Sequence, residues 1–137
     1  MPAHDTGSLR TAAFAAMENA HAPYSGFHVG AALALENGEI VSGCNVENAS
    51  YPLGICAEQA AVAAAVATGA RNFTALVIGT DGSEPTPPCG ACRQVLAEFG
   101  TSLPITSYTA NGREAQWNLA ELLPHPFDAA QLRQGRS

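Results

Sequence analysis

One short pair, Asn37-Gly38, constrains the fold of this chain more than any other feature. An Asn-Gly pair favours the left-handed backbone of a tight hairpin turn. Two apolar stretches, residues 28–35 and 39–44, lie on either side of residues 36–38. The pattern predicts two antiparallel strands joined by a tight turn.

The predicted helices share apolar or alanine residues at near-helical spacing. Ser8 or Thr6 can cap the first helix, and Pro23 closes its pattern. Gly69 ends the alanine-rich second helix at the left-handed C′ position, and Gly100 closes the third. These helices are predicted over residues 9–20, 56–68, 89–99 and a short segment near 119–123.

Three more strands are predicted after the hairpin. Residues 74–80 form a short apolar run with β-branched residues, which is typical of a buried strand. Weaker strands over 105–109 and 114–117 lie on either side of Asn111-Gly112. A helix, a hairpin and then alternating helices and strands predict an α/β fold. We expect a three-layer α/β/α sandwich on a mixed five-stranded sheet.

Composition limits the domain count and the partners. With 137 residues, 47% hydrophobic and 13% charged, we expect one domain over residues 1–137, frayed over about 1–7 and 129–137. The net charge is −6, and the six basic residues are all scattered arginines, so we expect no nucleic-acid partner. Residues 60–70 are too short for a membrane span, and residues 1–10 lack a secretory signal. We expect a cytoplasmic protein without membrane contact.

The cysteines point to a metal. In a reducing compartment, metal binding or thiol chemistry is favoured over disulfides. Cys89 and Cys92 follow Pro88 in a Cys-x-x-Cys motif, which lets two sulfurs from one helical turn bind one ion. Cys56 offers a third thiolate, so we predict one Zn²⁺ per chain with its fourth position open to water, as in catalytic zinc sites. Cys44 would close a four-cysteine structural site, but it lacks a Cys-x-x-Cys partner and is more typical of a small core residue.

Glu58 follows Cys56 by two residues, where its carboxylate can stand beside the metal without binding it. Cys-x-Glu followed by Pro-Cys-x-x-Cys is a signature of zinc deaminases. Deamination of an aminopyrimidine requires hydroxide at neutral pH and protons for the ring nitrogen and the leaving amine. Zinc lowers the pKa of water, and we predict Glu58 to be the catalytic residue that moves the protons. The simpler alternative is a solvated glutamate in the first turn of a helix.

Several linked segments, in the same order, resemble the small homotetrameric cytidine deaminases that hold zinc with three cysteines. The resemblance implies a cytidine-deaminase-like fold. It also implies conversion of cytidine or deoxycytidine and water to uridine or deoxyuridine and ammonia, a reaction of pyrimidine salvage. Besides the two cysteine motifs, the segments are residues 22–27, 29–33, 43–52, 122–124 and Phe127.

The resemblance also implies which residues bind a nucleoside. Phe27 would lie beside the base and ribose, Asn45 and Glu47 would hold the ribose 3′-hydroxyl, and Ala57 would contact the substrate. Without the resemblance, Asn45 and Glu47 are also consistent with a pair that caps a loop. Phe27 is likewise consistent with a core aromatic residue.

Two aromatic residues are implied to act between subunits. In the homotetramer that the resemblance implies, Tyr51 and Phe127 contribute to the active sites of neighbouring subunits. The alanine-rich segment 56–68 is consistent with helices that approach closely at a subunit interface, and equally with a helix buried within one subunit.

The chain departs from the family pattern at Gln59, where members usually carry arginine. Three thiolates and Zn²⁺ sum to −1, and a hydroxide makes the total −2. An arginine bonded to the ligand sulfurs would offset part of that charge, whereas Gln59 beside the metal site brings none. We expect Gln59 to make the zinc a weaker Lewis acid. The alternative is that helix N-termini or another group, such as Arg93, balance the thiolates.

Three other functions fit part of the sequence. A related aminohydrolase acting on a cytosine-nucleoside antibiotic of the blasticidin type is disfavoured by the intact Asn-Val-Glu-Asn segment at 45–48. A non-catalytic zinc module predicts a closed four-ligand site and a dispensable Glu58. A thiol redox protein predicts no zinc and a disulfide that forms between Cys89 and Cys92.

Overall fold

The computed structural model describes residues 6–134, and a mixed five-stranded sheet lies at its centre. The strands are β1 (Val29–Leu35), β2 (Ile40–Cys44), β3 (Phe73–Thr80), β4 (Pro104–Thr109) and β5 (Glu114–Asn118). The helices are α1 (Thr6–Met17), α2 (Ala57–Ala67), α3 (Gly90–Ala97), α4 (Leu119–Leu122) and α5 (Ala129–Arg133). The strand order is β2-β1-β3-β4-β5, in which β3 and β4 are parallel and the other neighbours are antiparallel.

Helices cover both faces of this sheet. Every residue of β1 is buried, and successive residues face opposite sides because side chains alternate along a strand. Ala31 and Leu33 belong to a core cluster with Ala61 of α2 and Leu96 of α3. The other face has its own cluster, whose members are Leu9, Ala13, Ala32, Ala34, Val77 and Tyr108. The predicted α/β/α sandwich with a mixed five-stranded sheet is therefore confirmed.

The β1–β2 hairpin has a three-residue loop. The Leu35 N–H donates to the Glu39 carbonyl at 2.9 Å, and the Gly38 N–H donates to the Leu35 carbonyl at 3.1 Å. Gly38 has a φ of 92°, whereas no described residue other than glycine has a positive φ. Asn37 instead accepts a bond from the Glu39 N–H through Oδ1 at 2.9 Å. The hairpin is as predicted, but only the glycine of the Asn-Gly pair adopts the left-handed conformation.

Two glycines let helices lie directly on the sheet. A Cβ atom at Gly43 would lie 2.5 Å from Ala61 N and 2.9 Å from Ala57 O, both in the backbone of α2. On the opposite face, a Cβ atom at Gly30 would lie 1.8 Å from Ala13 O in α1. Both contacts are too short for any other residue, so glycine fixes the height of each helix above the sheet. The first turn of α2 is therefore held at a defined position.

Helix ends differ from the prediction by a few residues. Gly69 has a φ of 99°, and its N–H donates to Val66 O at 2.9 Å while the Ala70 N–H donates to Ala65 O at 3.2 Å. These two bonds form a Schellman motif and confirm Gly69 as the residue that ends α2. The first helix spans Thr6–Met17 rather than 9–20, because residues 19 and 20 bond to carbonyls three positions back and tighten the chain into turns.

The chain ends were expected to be frayed. Within the described residues, the side chain of Asp128 accepts from the Gln131 N–H, and the side chain of Gln131 accepts from the Asp128 N–H. This capping box starts the exposed helix α5 where a frayed tail was expected. Residues 1–5 and 135–137 lie outside the described range. Among the helices from residue 6 to residue 134, none has the length and apolar character that crossing a membrane requires.

Candidate active site

Three cysteine sulfurs converge where α2 and α3 begin. Cys56 is the N-cap residue of α2, Cys89 is the N-cap residue of α3, and Cys92 lies in the first turn of α3. The Sγ atoms of Cys56 and Cys89 are 3.7 Å apart, and those of Cys89 and Cys92 are 3.3 Å apart. All three sulfurs lie within 4.8 Å of one another. The fold thus brings together the three predicted metal ligands.

This sulfur spacing fits a single zinc ion. Zn–S bonds of about 2.3 Å place two thiolates about 3.8 Å apart around a tetrahedral ion, close to the observed separations. Both N-cap sulfurs lie at helix N-termini, where the free N–H groups and the helix dipole stabilise thiolates. Cys92 is buried, Cys56 is half-buried and Cys89 is exposed. The donor set therefore suits zinc, and no fourth cysteine joins it among the described residues.

Cys44 lies apart from this cluster. It is the last residue of β2, where it pairs with Gly30. It is half-buried and lines a shallow pocket together with Ala15, Ala16 and Asn19 beside α1. A closed four-cysteine zinc site is therefore not formed, and Cys44 is less buried than the core residue that the sequence suggested.

The thiols are predisposed to lose protons. A hydrogen bond from the Cys92 thiol lowers the pKa of Cys56 to about 6, against the opposing effect of burial. The same bond, together with burial, raises the pKa of Cys92. The mutual hydrogen bonding of the sulfurs therefore favours a thiolate in the metal-free cluster, the form that binds metals.

Glu58 lies in the first turn of α2 and is only 5% exposed. Burial raises its pKa to about 7, and the charge of Cys56 adds to this effect, while a bond from its own backbone N–H opposes it. Its side chain has no other hydrogen-bond partner within residues 6–134. The alternative of a solvated surface glutamate is wrong, because the side chain is buried. A buried carboxyl group that bonds to no other residue is typical of functional sites.

A pocket of about 320 Å³ opens over Glu58 and the cysteines. Its lining includes predicted site residues from three separate parts of the chain. They are Phe27, Asn45, Glu47, Tyr51, Ala57 and Glu58. The pocket therefore unites the buried carboxylate, two metal ligands and the residues that the resemblance assigns to the nucleoside.

Thr86 and Pro87 are among the lining residues that were not predicted from the sequence. The Thr86 N–H donates to the hydroxyl of Ser107, a fully buried residue of β4, at 3.0 Å. This bond holds the loop before Cys89 against the sheet. The proline-rich composition of residues 85–88 was the available signal, since it marks a rigid loop directly before a ligand.

Asn45 is oriented by the strand that it faces. Its Oδ1 atom accepts from the Val29 N–H at 2.9 Å, and its Nδ2 atom donates to the Phe27 carbonyl at 2.9 Å. One N–H and one acceptor lone pair of the amide remain after these bonds. Asn45 therefore both caps a loop, as its residue type allowed, and lines the pocket.

The Glu47 carboxylate holds the segment before Phe27. It accepts bonds from the Tyr24 N–H at 3.0 Å, from the Ser25 N–H at 3.1 Å and from the Ser25 hydroxyl. The bonds from the Ser25 hydroxyl and then from the Ser25 N–H hold the pKa of Glu47 below its usual value. Glu47 thus remains an anion that accepts hydrogen bonds at the edge of the pocket.

Gln59 and Arg93 are close in sequence to the predicted metal ligands, but neither side chain bonds to a ligand sulfur. The half-buried Gln59 side chain forms no hydrogen bond within the described part of the chain. Arg93 donates from Nε to the Pro88 carbonyl at 2.8 Å and from Nη1 to the Leu122 carbonyl at 3.0 Å. Arg93 therefore bonds to backbone carbonyls rather than to ligand sulfurs.

Tyr51 and Phe127 are exposed, at 79% and 58%. The Gln94 side chain fixes the Phe127 backbone, since Nε2 donates to its carbonyl at 2.6 Å and Oε1 accepts from its N–H at 3.2 Å. Tyr51 lines the pocket, whereas Phe127 is not among its lining residues. Of the predicted site residues, Cys92, Gln59 and Phe127 do not line this pocket, although Cys92 belongs to the sulfur cluster at its edge.

Known proteins are similar to this chain in both sequence and fold. The family described as "Cytidine and deoxycytidylate deaminase zinc-binding region" matches residues 5–107. Cytidine deaminase from Sporosarcina psychrophila is 46% identical over 118 residues, 85% of this chain and 87% of the relative. Cytidine deaminase from Mycobacterium tuberculosis strain H37Rv is 41% identical over 136 residues, 99% of both chains. The crystal structure of cytidine deaminase from Burkholderia pseudomallei superposes with a TM-score of 0.86 at 44% identity, over 90% of this chain and 99% of that chain. The chain therefore belongs to the cytidine and deoxycytidylate deaminase family.

Proposed function

We propose that the protein catalyses the zinc-dependent hydrolytic deamination of cytidine and deoxycytidine to uridine and deoxyuridine, with release of ammonia. One observation carries the proposal: the buried Glu58 carboxyl group lines the same pocket as Cys56 and Cys89. Membership of the deaminase family supports a pyrimidine substrate.

The chain supplies the ligands and the proton carrier. Cys56, Cys89 and Cys92 would hold the ion, and bound zinc is a Lewis acid that makes water acidic enough to ionise near neutral pH. Glu58 takes the first proton of the attacking water and delivers it to N3 of the ring. It then takes the second proton, from the hydroxyl group that the attack leaves on C4, and delivers it to the amino group, which departs as ammonia. A pKa of about 7 suits this role, because the carboxyl group can both accept and release a proton at neutral pH.

Three residues of the pocket wall would recognise the nucleoside. The ring of Phe27 lies beside the base and ribose, while Asn45 and Glu47 bond the ribose 3′-hydroxyl. The free N–H of Asn45 suits the hydroxyl oxygen, and the Glu47 carboxylate suits the hydroxyl proton. Ala57, the first residue of α2, would contact the substrate at the base of the pocket. A sugar without the hydroxyl would leave these polar groups unpaired, so it would bind weakly.

Charge favours a neutral nucleoside over a nucleotide. Glu47 makes the pocket edge negative, and no arginine is among the pocket residues within the described range. Four arginines are instead bound elsewhere: Arg10 lies over the Tyr108 ring, Arg71 and Arg93 bond to carbonyls, and Arg113 pairs with Glu84. A phosphate group would therefore lack a partner.

The decay of cytidine absorbance tests the function directly. We expect purified protein with about one zinc per chain to consume cytidine and deoxycytidine and to release ammonia. Removal of zinc by a chelator abolishes the reaction, and added zinc restores it. Cytidine monophosphate is the comparison substrate, with a kcat/KM at least about 100-fold lower. Stable cytidine in zinc-loaded protein, or equal use of the monophosphate, would contradict the proposal.

We also propose a single domain over residues 1–137 that assembles as a homotetramer in the cytoplasm and serves pyrimidine salvage. In that assembly Tyr51 and Phe127 would complete the active sites of neighbouring subunits. The proposal is supported by large apolar side chains exposed near the pocket, namely Tyr24, Tyr51, Leu53 and Ile55. Light scattering measures the assembly, and a monomer with full activity would contradict it.

Replacement of Gln59 by arginine tests the charge balance at the metal. A cation beside the cluster should stabilise the thiolates and offset the negative charge around the metal. We expect Gln59→Arg to raise kcat or to shift the pH profile downward, and to lower the thiol pKa of metal-free protein, followed by thiolate absorbance. Gln59→Met is the matched neutral control. Equal rates and titrations in all forms would show that the helix N-termini already balance the cluster.

A further inference from the structure

Gly82 lies directly behind the ring of Phe27. A Cβ atom at position 82 would lie 2.9 Å from Phe27 Cε1 and 3.6 Å from Phe27 Cζ, and 3.5 Å from the Thr80 hydroxyl. The first of these distances is shorter than real Cβ contacts, whereas the Thr80 contact is ordinary. The ring of Phe27 therefore occupies the space that a side chain at position 82 would fill.

The backbone of Gly82 does not itself require glycine. Its φ is not among the positive values that five other glycines of the chain adopt. Alanine at position 82 would therefore not be forced into the left-handed region. The remaining physical reason for glycine at this position is the space taken by the Phe27 ring.

Phe27 separates Gly82 from the pocket. Phe27 lines the pocket, whereas Gly82 is not among the lining residues. One edge of the ring faces Gly82, and the side chain also packs on the main core cluster. A ring displaced by a group at position 82 therefore moves toward the pocket, because the core offers no space.

The backbone of Phe27 is fixed on both sides of the residue. Its N–H donates to the Ser25 hydroxyl at 3.0 Å, and its carbonyl accepts from Asn45 Nδ2 at 2.9 Å. These bonds hold the Cα atom in place. A contact behind the ring must then be relieved by rotation of the side chain rather than by movement of the segment.

Asp81 fixes the distance between the loop that contains Gly82 and the segment that contains Phe27. Its Oδ1 atom accepts from the His28 N–H at 3.0 Å, and its Oδ2 atom lies 2.6 Å from His28 Nδ1. The Asp81 N–H in turn donates to the His28 carbonyl at 3.3 Å. Three contacts between the neighbours of Gly82 and Phe27 leave little freedom for the loop to move away.

We propose that Gly82 is a positioning residue for substrate recognition, which sets the place of the Phe27 ring in the pocket by having no side chain. The inference rests on the proposed function, in which Phe27 lies beside the base and ribose. It predicts that a methyl group at position 82 acts only through Phe27. Nucleoside affinity should fall while proton transfer at Glu58 is little affected, so KM should rise more than kcat falls.

A double-mutant cycle tests this coupling. We would measure the Kd of the product uridine by calorimetry, and KM and kcat for cytidine, in wild type, Gly82→Ala, Phe27→Ala and the double variant. We expect Gly82→Ala to weaken uridine binding by roughly tenfold. In the Phe27→Ala background the same change should have less than about a twofold effect, because no ring remains to be displaced. Ser83→Ala, at the next exposed position, is the control.

The outcomes distinguish a failure of the role of Gly82 from a failure of the proposed function. Equal losses of affinity in both backgrounds, or no loss in wild type, would overturn the role of Gly82 while leaving the deaminase intact. Wild-type protein that neither binds uridine nor consumes cytidine would overturn the proposed function and this inference together. If Gly82→Ala unfolds easily, its melting temperature should recover in the Phe27→Ala background, and failure to recover would also overturn the inference.

Discussion

The Glu58→Gln substitution is expected to lower kcat for cytidine by about 10³-fold, within the usual range for loss of a general acid–base group. The amide has the size of the carboxyl group and fits the same buried space, but it cannot accept and release a proton. The cysteine ligands are unchanged, so we expect Glu58→Gln to keep its zinc and to bind uridine with nearly wild-type affinity. Cytidine absorbance, metal analysis and calorimetry measure these three properties.

Glu98→Gln is the matched control for this change. Glu98 follows α3 directly and is exposed, so the same chemical substitution there should leave kcat unaltered. A Glu58→Gln variant with more than a tenth of the wild-type kcat would contradict the proton-transfer role. Loss of zinc from that variant would instead assign Glu58 a part in building the metal site.

The Gly43→Ala substitution is expected to weaken zinc binding by about 10- to 100-fold, the range found when groups that support metal ligands are disturbed. The new Cβ atom would meet Ala61 N at 2.5 Å and Ala57 O at 2.9 Å. Both atoms belong to the helix backbone, so the whole of α2 must shift. Cys56 and Glu58 would then move relative to Cys89 on α3. Chelator competition measures zinc affinity, and kcat should fall with it.

Gly30→Ala is the control on the opposite face of the sheet. Its Cβ atom would lie 1.8 Å from Ala13 O, but α1 carries no residue of the proposed site. We expect a loss of about 3 kcal/mol in the free energy of unfolding, measured in urea, with zinc affinity of the folded protein retained. Equal loss of zinc affinity in both variants, or unchanged affinity in Gly43→Ala, would contradict a direct path from Gly43 to the site.

Elements with strong local signals could be predicted from the sequence. The turn residues of the hairpin and the left-handed Gly69 determine the backbone of residues only a few positions away. A short stretch of sequence is therefore enough to predict their effect. The early end of α1 and the helix after Asp128 were missed. In the first case the chain tightens into turns at residues 19 and 20, although apolar residues continue at near-helical spacing. In the second case the Asp-x-x-Gln capping pattern was present but overlooked.

The candidate site likewise contains residues that local sequence patterns predict and residues that they do not. The spacing of the cysteines and of Glu58 is a local pattern, so these residues were predicted from the sequence, and the structure brings the three cysteine sulfurs together. Thr86 and Gly82 were not, because their roles arise from contacts with Ser107 and Phe27, which are distant in the chain. Pairings of this kind depend on how strands are ordered in the sheet. The proline-rich composition of residues 85–88 marks a rigid loop but does not indicate which residue that loop contacts.

The placement of the ligands on two helices makes the metal a cross-link. Cys89 and Cys92 are close in sequence, but Cys56 precedes Cys89 by 33 residues. In an unfolded chain, binding of all three would require closure of a long loop, which costs chain entropy. In the folded chain this loop is already closed, so binding carries no such cost. An unfolded chain offers the ion two neighbouring thiols at best, so the ion favours the folded state and raises its stability. Zinc supply would then govern the lifetime of this protein as well as its activity.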